Sequence, residues 1–239
     1  MKGIRIMKLA NATVFITGAN RGIGLAFARA ALARGARKVY AAARDPDSVT
    51  LAGVVPVRLD VNNPEAVATA ARNAGDVTLL INNAGIARFG GFLTPDGLES
   101  AREQMETNFF GPLRVTQAFA PVLAANGGGA LLNVLSVASW ISRPQLAVYA
   151  ASKAAVWSLT NGLRNELSPH GTQVLGLHMG FVDTDLTHGI DAPKSSADDI
   201  VRAAFDALEA GAQEVLADEI TRQVKRGLSA EPGVYLAAP

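Results

Sequence analysis

ATVFITGANRGIGLAFARAALAR, residues 12–34, is the stretch that decides the fold. It contains a short apolar strand (12–17), a glycine-rich turn, and an alanine-rich helix from about Gly22 to Arg34. The glycines at 17–24 have the spacing G-x-x-x-G-x-G, which allows a tight turn and the close approach of a pyrophosphate. The start of the helix supplies unpaired N–H groups and a positive dipole end. We interpret this segment as a nucleotide-binding turn. The alternative is an ordinary strand-to-helix turn, and the missing Gly-Lys-Ser/Thr excludes a P-loop.

Apolar runs and helical stretches alternate along the rest of the chain. The runs are nearly continuous, as expected for a parallel sheet that is covered on both faces. This alternation predicts an α/β fold, a doubly wound three-layer sandwich. No repeat or linker interrupts it, so we expect one domain over residues 11–239 after an N-terminal extension, residues 1–10. The further predicted strands are 38–43, 54–59, 77–81, 130–135, 173–178 and 214–216. One further helix is predicted to begin at residue 64. The others are predicted over 96–125 (one or two helices), 147–167 and 197–210.

The composition restricts the classes of function. Of the 239 residues, 49% are apolar and 18% are charged, and the formal net charge is +1. This excludes a disordered chain and argues against a nucleic-acid-binding surface. Without cysteine there are no disulfides and no thiolate chemistry, and the three histidines lack metal-ligand spacing, so we expect no metal site. We find no targeting segment and no apolar run that is long enough to cross a membrane, so we expect a cytoplasmic protein.

Two arginines near the glycine turn indicate the cofactor. Arg44 ends the second strand, 20 residues after Gly24, where an acidic residue would bind a ribose diol and favour NAD. An arginine there accommodates a 2′-phosphate instead, and Arg21 in the turn could reach the same phosphate. We therefore predict NADPH or NADP+ rather than NADH. The alternative is that Arg21 is a solvated charge, that Arg44 pairs with Asp45 or Asp47, and that Asp45 supports NAD.

Three side chains further along the chain form a candidate acid–base site. Tyr149 and Lys153 are four residues apart on a predicted helix, which places both on one face. A lysine ammonium beside a phenol favours the phenolate and lowers the phenol pKa, as suits a general acid–base near neutral pH. Ser136 ends a predicted strand, at the edge where ligands bind in open α/β sheets. No G-x-S-x-G surrounds it and no histidine completes a triad pattern, so a serine nucleophile is disfavoured.

Together these motifs resemble the short-chain dehydrogenase/reductase family. The resemblance covers about residues 12–186, and it implies a compact, single-domain Rossmann-like fold with a parallel sheet of about seven strands. It also implies hydride transfer between NADP(H) and a carbonyl or alcohol, and a homodimer or homotetramer formed through the long helices around 103–125 and 147–167. One departure is Met179-Gly180, where the family usually has Pro-Gly. The motifs that carry the resemblance are T-G-x-x-x-G-I-G at 17–24, Asp60-Val61, N-N-A-G at 82–85, Asn108, Ser136 and Y-x-x-x-K at 149–153.

The resemblance also implies roles for individual residues. Tyr149 would be the general acid in reduction, with Lys153 lowering its pKa and binding the nicotinamide ribose. Ser136 would polarise the carbonyl. Asn108 would interrupt its helix and hold a water that links Lys153 to solvent. The implied cofactor-binding residues are Gly18, Asn20, Arg21, Gly22, Ile23, Gly24, Arg44, Asp60, Val61, Asn82, Ala84, Gly85, Tyr149, Lys153, Gly180, Val182 and Thr184.

Segments after the fourth, fifth and sixth strands would form the substrate walls. Their side chains are mainly apolar, so we expect a small-molecule partner that is a neutral, fairly hydrophobic ketone or aldehyde, or the matching secondary alcohol. A carboxylate substrate bound by Arg88 or Arg143 is the alternative. Two other functions stay open: a nicotinamide-binding epimerase or dehydratase, and a non-catalytic NADP(H) sensor. The predicted wall residues are Phe89, Val137, Ala138, Trp140, Gln145, Met179 and Phe181.

Overall fold

One parallel sheet organises the molecule. The computed structural model describes residues 6–236, and within this range seven strands form the sheet. They are β1 (Thr13–Thr17), β2 (Lys38–Ala43), β3 (Val55–Arg58), β4 (Leu79–Asn82), β5 (Ala130–Val134), β6 (Gln173–His178) and β7 (Glu214–Leu216). The strands lie in the order β3-β2-β1-β4-β5-β6-β7, and every neighbouring pair is parallel. The predicted sheet of about seven strands is confirmed.

Helices connect the strands and cover both faces of the sheet. In the described range they are α1 (Gly22–Ala33), α2 (Pro64–Asn73), α3 (Gly97–Met105), α4 (Gly111–Ala125), α5 (Ala147–Leu167), α6 (Ala197–Glu209) and α7 (Glu219–Gly227). α1 and α6 share one face, where the ring centroids of Phe27 and Phe205 are 5.3 Å apart. α2, α4 and α5 cover the other face, where those of Phe15 and Phe119 are 4.6 Å apart. The fold is the predicted doubly wound, Rossmann-like sandwich of three layers.

Local sequence explains where these elements begin and why the strands are central. β1, β5 and β6 are buried along their whole length, as strands with helices on both faces must be. α2 begins as predicted: Oδ1 of Asn63 accepts from the backbone N–H groups of Glu65 and Ala66, both at 3.0 Å, and Pro64 takes the first helical position. Among the described helices, none is long and apolar enough to cross a bilayer.

The strand order determines at which edge of the sheet a ligand can bind. β1 pairs with β2 on one side and with β4 on the other, so the direction of winding reverses between them. Loops that leave the carboxyl ends of β1 and β4 therefore diverge and open a crevice, which is the usual ligand site in this architecture.

Two helical features differ from the sequence-based expectation. The stretch predicted as one or two helices over 96–125 contains α3 and α4, joined by a π-helical turn, Glu106–Phe110, where the sequence suggested a break near Gly111. α7 was not predicted, because most of its residues are polar and only Thr221 and Val224 are buried. It begins after Asp218, whose carboxylate accepts from the backbone N–H of Thr221 at 2.9 Å.

The segment before β1 packs against the domain where it is described. Residues 1–5 of the predicted extension lie outside the described residues. Met7 and Leu9 are buried among the residues of the α1 and α6 face. The backbone N–H of Met7 donates to Oε1 of Gln173 at 3.1 Å, at the start of β6. The described end of this segment therefore belongs to the core.

Candidate active site

A cavity of about 890 Å³ opens at the carboxyl ends of the strands. Its walls come from the glycine turn, from the loops after β2 to β6, and from the start of α7. Fifteen of the predicted cofactor-binding residues line it, whereas Gly24 and Asn82 do not. The lining residues of that set are Gly18, Asn20, Arg21, Gly22, Ile23, Arg44, Asp60, Val61, Ala84, Gly85, Tyr149, Lys153, Gly180, Val182 and Thr184.

The glycine turn is shaped for close approach. Gly18 and Gly22 have φ angles of +66° and +54°, in the left-handed region that favours glycine. Gly24 does not line the cavity but is equally constrained, because a Cβ there would lie 2.1 Å from the carbonyl oxygen of Gly18. The turn is held by Asn83, whose Nδ2 donates to the carbonyl oxygens of Thr17 (2.9 Å) and Gly18 (3.0 Å). The unpaired N–H groups at the start of α1 and the open backbone above them fit a pyrophosphate.

Of the two neighbouring asparagines at the carboxyl end of β4, the sequence-based assignment named the inner one, Asn82. Asn82 is buried, and its Nδ2 donates to Oγ1 of Thr116 (3.0 Å) and Oδ1 of Asn133 (2.9 Å), so its side chain does not reach a ribose in the cavity. Asn83 was missed, although it lines the cavity and holds the glycine turn. The available signal was the end of the strand: Asn82 still belongs to β4, whereas Asn83 is the first residue beyond it.

The two arginines stand at the cavity rim, where they were predicted. Nη1 of Arg21 lies 3.3 Å from Oδ2 of Asp185, an ion pair between the glycine turn and the loop after β6, and both side chains are about 70% exposed. Arg44 is exposed and lines the cavity. Asp45 does not pair with it: Oδ1 of Asp45 accepts from the backbone N–H of Asp47 at 3.2 Å. The rim therefore presents two exposed guanidinium groups, that of Arg44 and that of Arg21 beside the carboxylate of Asp185.

The acid–base residues converge on the inner end of the cavity. Lys153 is buried on α5, its ammonium donates to the main-chain oxygen of Val134 at 2.9 Å, and its Nζ lies 5.7 Å from the centre of the Tyr149 ring. Ser136 follows β5, and its Oγ accepts from the backbone N–H of Ala138 at 3.1 Å. Because this bond uses the oxygen as acceptor, the hydroxyl proton of Ser136 is left for a neighbouring oxygen, either that of Tyr149 or that of a substrate.

Burial pushes both titratable groups of the site toward their neutral forms. It raises the pKa of Tyr149 to about 12, and a hydrogen bond with Ser136 acts in the opposite direction. It lowers the pKa of Lys153 to about 8. In both groups the cause is desolvation of the charged form. The expectation that Lys153 lowers the pKa of the phenol stays a prediction.

Asn108 lies behind the cavity, within the π-helical turn that interrupts the helix as predicted. Its Nδ2 donates to the main-chain oxygen of Ile86 (2.8 Å) and to Oγ of Ser152 (2.9 Å), and its Oδ1 accepts from the N–H of Ile86 (2.8 Å). Ser152 in turn donates to the main-chain oxygen of Tyr149 at 2.7 Å. Both amide hydrogens of Asn108 are thus in use, and the side chain ties the loop after β4 to α5. The predicted water relay remains a prediction.

Five of the seven predicted substrate-wall residues line the cavity: Phe89, Val137, Ala138, Met179 and Phe181. Trp140 does not, because its indole is buried and stacks on the imidazole of His178, with ring centroids 3.9 Å apart. Gln145 does not either, because its side chain is exposed and its main-chain oxygen accepts from Gly90 at 2.9 Å. Further apolar lining residues, which the sequence did not single out, are Ile86, Ile141, Leu146, Leu186, Ile190 and Ile220.

The loop after β6 is anchored without the proline that is usual in the family. The main-chain oxygen of Met179 accepts from Val137 at 2.8 Å, and the N–H of Gly180 donates to Oδ2 of Asp218 at 2.6 Å. Further along, Val182 and Ser195 form a parallel bridge that closes the base of the loop. The carboxylate of Asp218, which also starts α7, therefore supplies an anchor for the backbone beside Met179.

Comparisons with known proteins agree with this geometry. The family described as short chain dehydrogenase matches residues 12–195. The galactitol 2-dehydrogenase (L-tagatose-forming) of Cereibacter sphaeroides is 38% identical over 193 residues, 76% of each chain. The gluconate 5-dehydrogenase of Gluconobacter oxydans is 33% identical over 206 residues, 81% of this chain and 80% of that one.

A solved structure gives the same result for the fold. A short chain dehydrogenase from Burkholderia cenocepacia, determined in complex with NADP, is 41% identical and superposes with a TM-score of 0.91 over 95% of this chain and 96% of that one. The glycine turn, the serine, tyrosine and lysine around one cavity, and these relatives lead to one conclusion. The chain is an oxidoreductase of the short-chain dehydrogenase/reductase family.

Proposed function

We propose that the chain transfers a hydride between NADP(H) and a ketone or aldehyde, or the matching secondary alcohol, and that it acts as a carbonyl reductase on a fairly hydrophobic substrate. The observation that carries this proposal is the convergence of Ser136, Tyr149 and Lys153 on a cavity whose inner walls are apolar. The preference for NADP(H) rests on Arg21 and Arg44 at the rim, where a 2′-phosphate would meet two guanidinium groups. The related Burkholderia structure, which contains NADP, supports the same choice.

The side chains of the site divide the chemistry among them. When bound, the nicotinamide supplies or accepts the hydride. The hydroxyl of Ser136 donates a hydrogen bond to the carbonyl oxygen and withdraws electron density from the carbon. Tyr149 delivers its proton to the same oxygen as the alcohol forms, and takes it back in the reverse direction. The ammonium of Lys153 stabilises the phenolate that is left.

The substrate preference rests on the character of the walls. Phe89, Leu186 and Ile220 line the cavity although they are 60%, 52% and 46% exposed, which is the exposure expected of side chains that an apolar ligand covers. A second candidate is a polyol or keto-acid substrate. Two observations favour it: the names of the curated relatives, and the presence of Arg143 and Lys194 in the same cavity.

The test is the loss of nicotinamide absorbance with NADPH and with NADH, across aromatic and aliphatic ketones, aldehydes, keto-acids and ketoses. Tyr149→Phe is the inactive variant, and Tyr235→Phe, at an exposed tyrosine, is the matched control. We expect turnover of hydrophobic carbonyls with NADPH, lost in Tyr149→Phe by a factor of roughly 10² or more and kept in Tyr235→Phe. Faster turnover with keto-acids or ketoses would select the second candidate. Tight NADPH binding without any turnover would instead favour the non-catalytic sensor. Conversion of a substrate with no net oxidation or reduction of the nicotinamide would favour an epimerase or dehydratase.

We also propose a homodimer or homotetramer in the cytoplasm, assembled through α4 and α5. The aromatic side chain of Phe110, just before α4, is 43% exposed in the single chain, and burying it would stabilise an assembly. Light scattering coupled to size-exclusion chromatography tests this. A monomer at micromolar concentration would contradict it.

A further inference from the structure

His178 is a buried histidine next to the site, and the proposed mechanism does not use it. It ends β6 and has no exposed surface. Its Nδ1 lies 3.2 Å from the main-chain oxygen of Ser136. A carbonyl oxygen can only accept, so this hydrogen bond requires the proton on Nδ1. The imidazole thus holds the backbone of the residue whose hydroxyl faces the substrate.

Ring stacking holds the rest of the imidazole. The ring stacks on Trp140, over which Nζ of Lys225 in α7 also lies, 4.7 Å from the ring centroid. Nε2 lies 3.3 Å from Oε1 of Glu214 in β7 without a hydrogen bond between them. The tryptophan, which Lys225 covers, therefore fixes the plane of the ring that contacts Ser136.

The backbone at Ser136 needs such support. β5 ends at Val134, so Ser136 stands beyond the last regular strand residue. The next residue, Val137, is tied to Met179 by a backbone hydrogen bond of 2.8 Å. The carbonyl oxygen of Ser136 accepts two hydrogen bonds there, one from the backbone N–H of Ser139 at 3.0 Å and one from Nδ1 of His178. Loss of the second bond removes one of the two restraints on the Ser136 peptide, and a displacement of about 1 Å at a reacting group costs up to about 10²-fold in rate.

We infer that His178 is a positioning residue that helps to set the orientation of the Ser136 hydroxyl through the Ser136 main-chain carbonyl, with Trp140 holding the imidazole in place. This inference rests on the proposed function, because it assigns Ser136 the role of donor to the substrate oxygen. It also links α7 to the active site, through Lys225 and Trp140.

The test compares two nearly isosteric replacements that both remove the ring. In His178→Asn, the amide nitrogen takes roughly the place of Nδ1 and can still donate to Ser136, whereas His178→Leu cannot. We expect His178→Leu to lower kcat about tenfold, short of the roughly 10²-fold expected when a donor to the reacting oxygen is removed outright. We expect His178→Asn to recover most of that loss, and both variants to keep the Kd for NADPH. If His178→Leu does not fold, His178→Phe, which fills the ring volume without an N–H group, replaces it.

A matched control lies at the other end of the same strand. Gln173 is also buried, and its Nε2 donates to the main-chain oxygens of Leu208 (3.0 Å) and Ala212 (3.2 Å). Gln173→Leu therefore removes buried hydrogen bonds from β6 far from the site. It should lower the midpoint of urea unfolding and leave kcat unchanged. A fall in kcat as large as that of His178→Leu would assign the effect to general loss of stability and overturn the inference.

Two further measurements test whether the effect of His178→Leu on kcat acts through Ser136. In a Ser136→Ala background, His178→Leu should lower kcat by less than twofold, because a positioning residue has no effect once its target is gone. An undiminished tenfold loss there would overturn the inference. Amide hydrogen exchange at Ala138, whose N–H donates to Oγ of Ser136, should accelerate in His178→Leu and not in Gln173→Leu. This readout needs no turnover, so it separates failure of the inference from failure of the proposed function.

Discussion

Replacing the buried lysine of the active site should make the protein more stable. Lys153→Met keeps a long side chain of similar shape and removes the ammonium. At pH 7 we expect the free energy of unfolding to rise while the proposed oxidoreductase activity is lost. The physical reason is that Lys153 is held in a place where its charge is poorly solvated, which function requires and stability does not.

The magnitude follows from the pKa of Lys153. Burial lowers that pKa from 10.5 to about 8. Each pKa unit corresponds to about 1.4 kcal/mol, so the buried ammonium costs the folded state on the order of 3 kcal/mol at pH 7. Methionine also leaves the main-chain oxygen of Val134 without its donor at 2.9 Å, which costs about 1–2 kcal/mol. The net gain is about 1–2 kcal/mol, or roughly 2–8 °C in Tm for a domain of this size.

The pKa of Lys153 also predicts how the stability difference between the wild type and Lys153→Met changes with pH. Below about pH 8 the lysine is protonated in both the folded and the unfolded state, so the full cost is present. Between about pH 8 and 10.5 only the unfolded state keeps the proton, so the stability of the wild type rises with pH through this group. The stability advantage of Lys153→Met should therefore be largest at pH 7 and shrink toward pH 10.

Urea unfolding followed by circular dichroism at pH 7 and at pH 9.5 measures both effects. The control is Lys38→Met, at a lysine whose pKa is raised by the carboxylate of Asp76, 2.7 Å away, and by Tyr40. That variant loses an ion pair and should not gain stability at pH 7. A Lys153→Met protein that is less stable than the wild type at pH 7, or whose advantage does not change with pH, would refute the reasoning.

Three further predictions concern the cofactor end of the cavity. Asp185→Asn should lower the KM for NADPH severalfold in steady-state kinetics, because the carboxylate 3.3 Å from Arg21 competes with a phosphate for the guanidinium; an unchanged KM would mean that the exposed pair contributes nothing. Arg44→Ala should raise the KM for NADPH by about 10–100-fold, the loss expected for a charge-assisted hydrogen bond, and should leave the KM for NADH nearly unchanged. Gly24→Ala should abolish nucleotide binding in a fluorescence titration, because the added Cβ would lie 2.1 Å from the carbonyl oxygen of Gly18. Normal binding would show that the backbone of the turn can shift to accept the Cβ.

Much of the fold could be predicted because five of the seven described strands are buried along most or all of their length and therefore read as apolar runs in the sequence. Apolar runs such as 130–135 and 173–178 admit few polar residues, and each strand is found within two residues of its predicted ends. α7 could not be predicted in the same way. Its helix depends on the Asp218 cap and on contacts with β7 and the turn at Val137–Ser139, which are distant in the chain.

Most of the residues that form the site could be predicted from the sequence. The direction in which each side chain points could not always be predicted. A motif such as N-N-A-G indicates which segment meets the cofactor, whereas the strand end decides that Asn83 faces the cavity and Asn82 the interior. Trp140 was placed in the substrate wall because it follows β5 closely. In the structure His178 offers it a flat buried surface, and that stacking turns the indole away from the cavity. Such choices depend on neighbours from other strands, which no local pattern contains.

The same burial that disfavours charge at the site also keeps the proton of Tyr149 on the phenol. With its pKa raised to about 12, Tyr149 holds its proton at neutral pH, and that proton is the one that carbonyl reduction consumes. Oxidation of an alcohol would need the phenolate, which the same desolvation makes costly. In the proposed mechanism the ammonium of Lys153 would offset part of this cost, and because its own pKa is about 8, the offset would weaken as pH rises. The proton that the proposed carbonyl reduction needs is therefore available on Tyr149 at neutral pH.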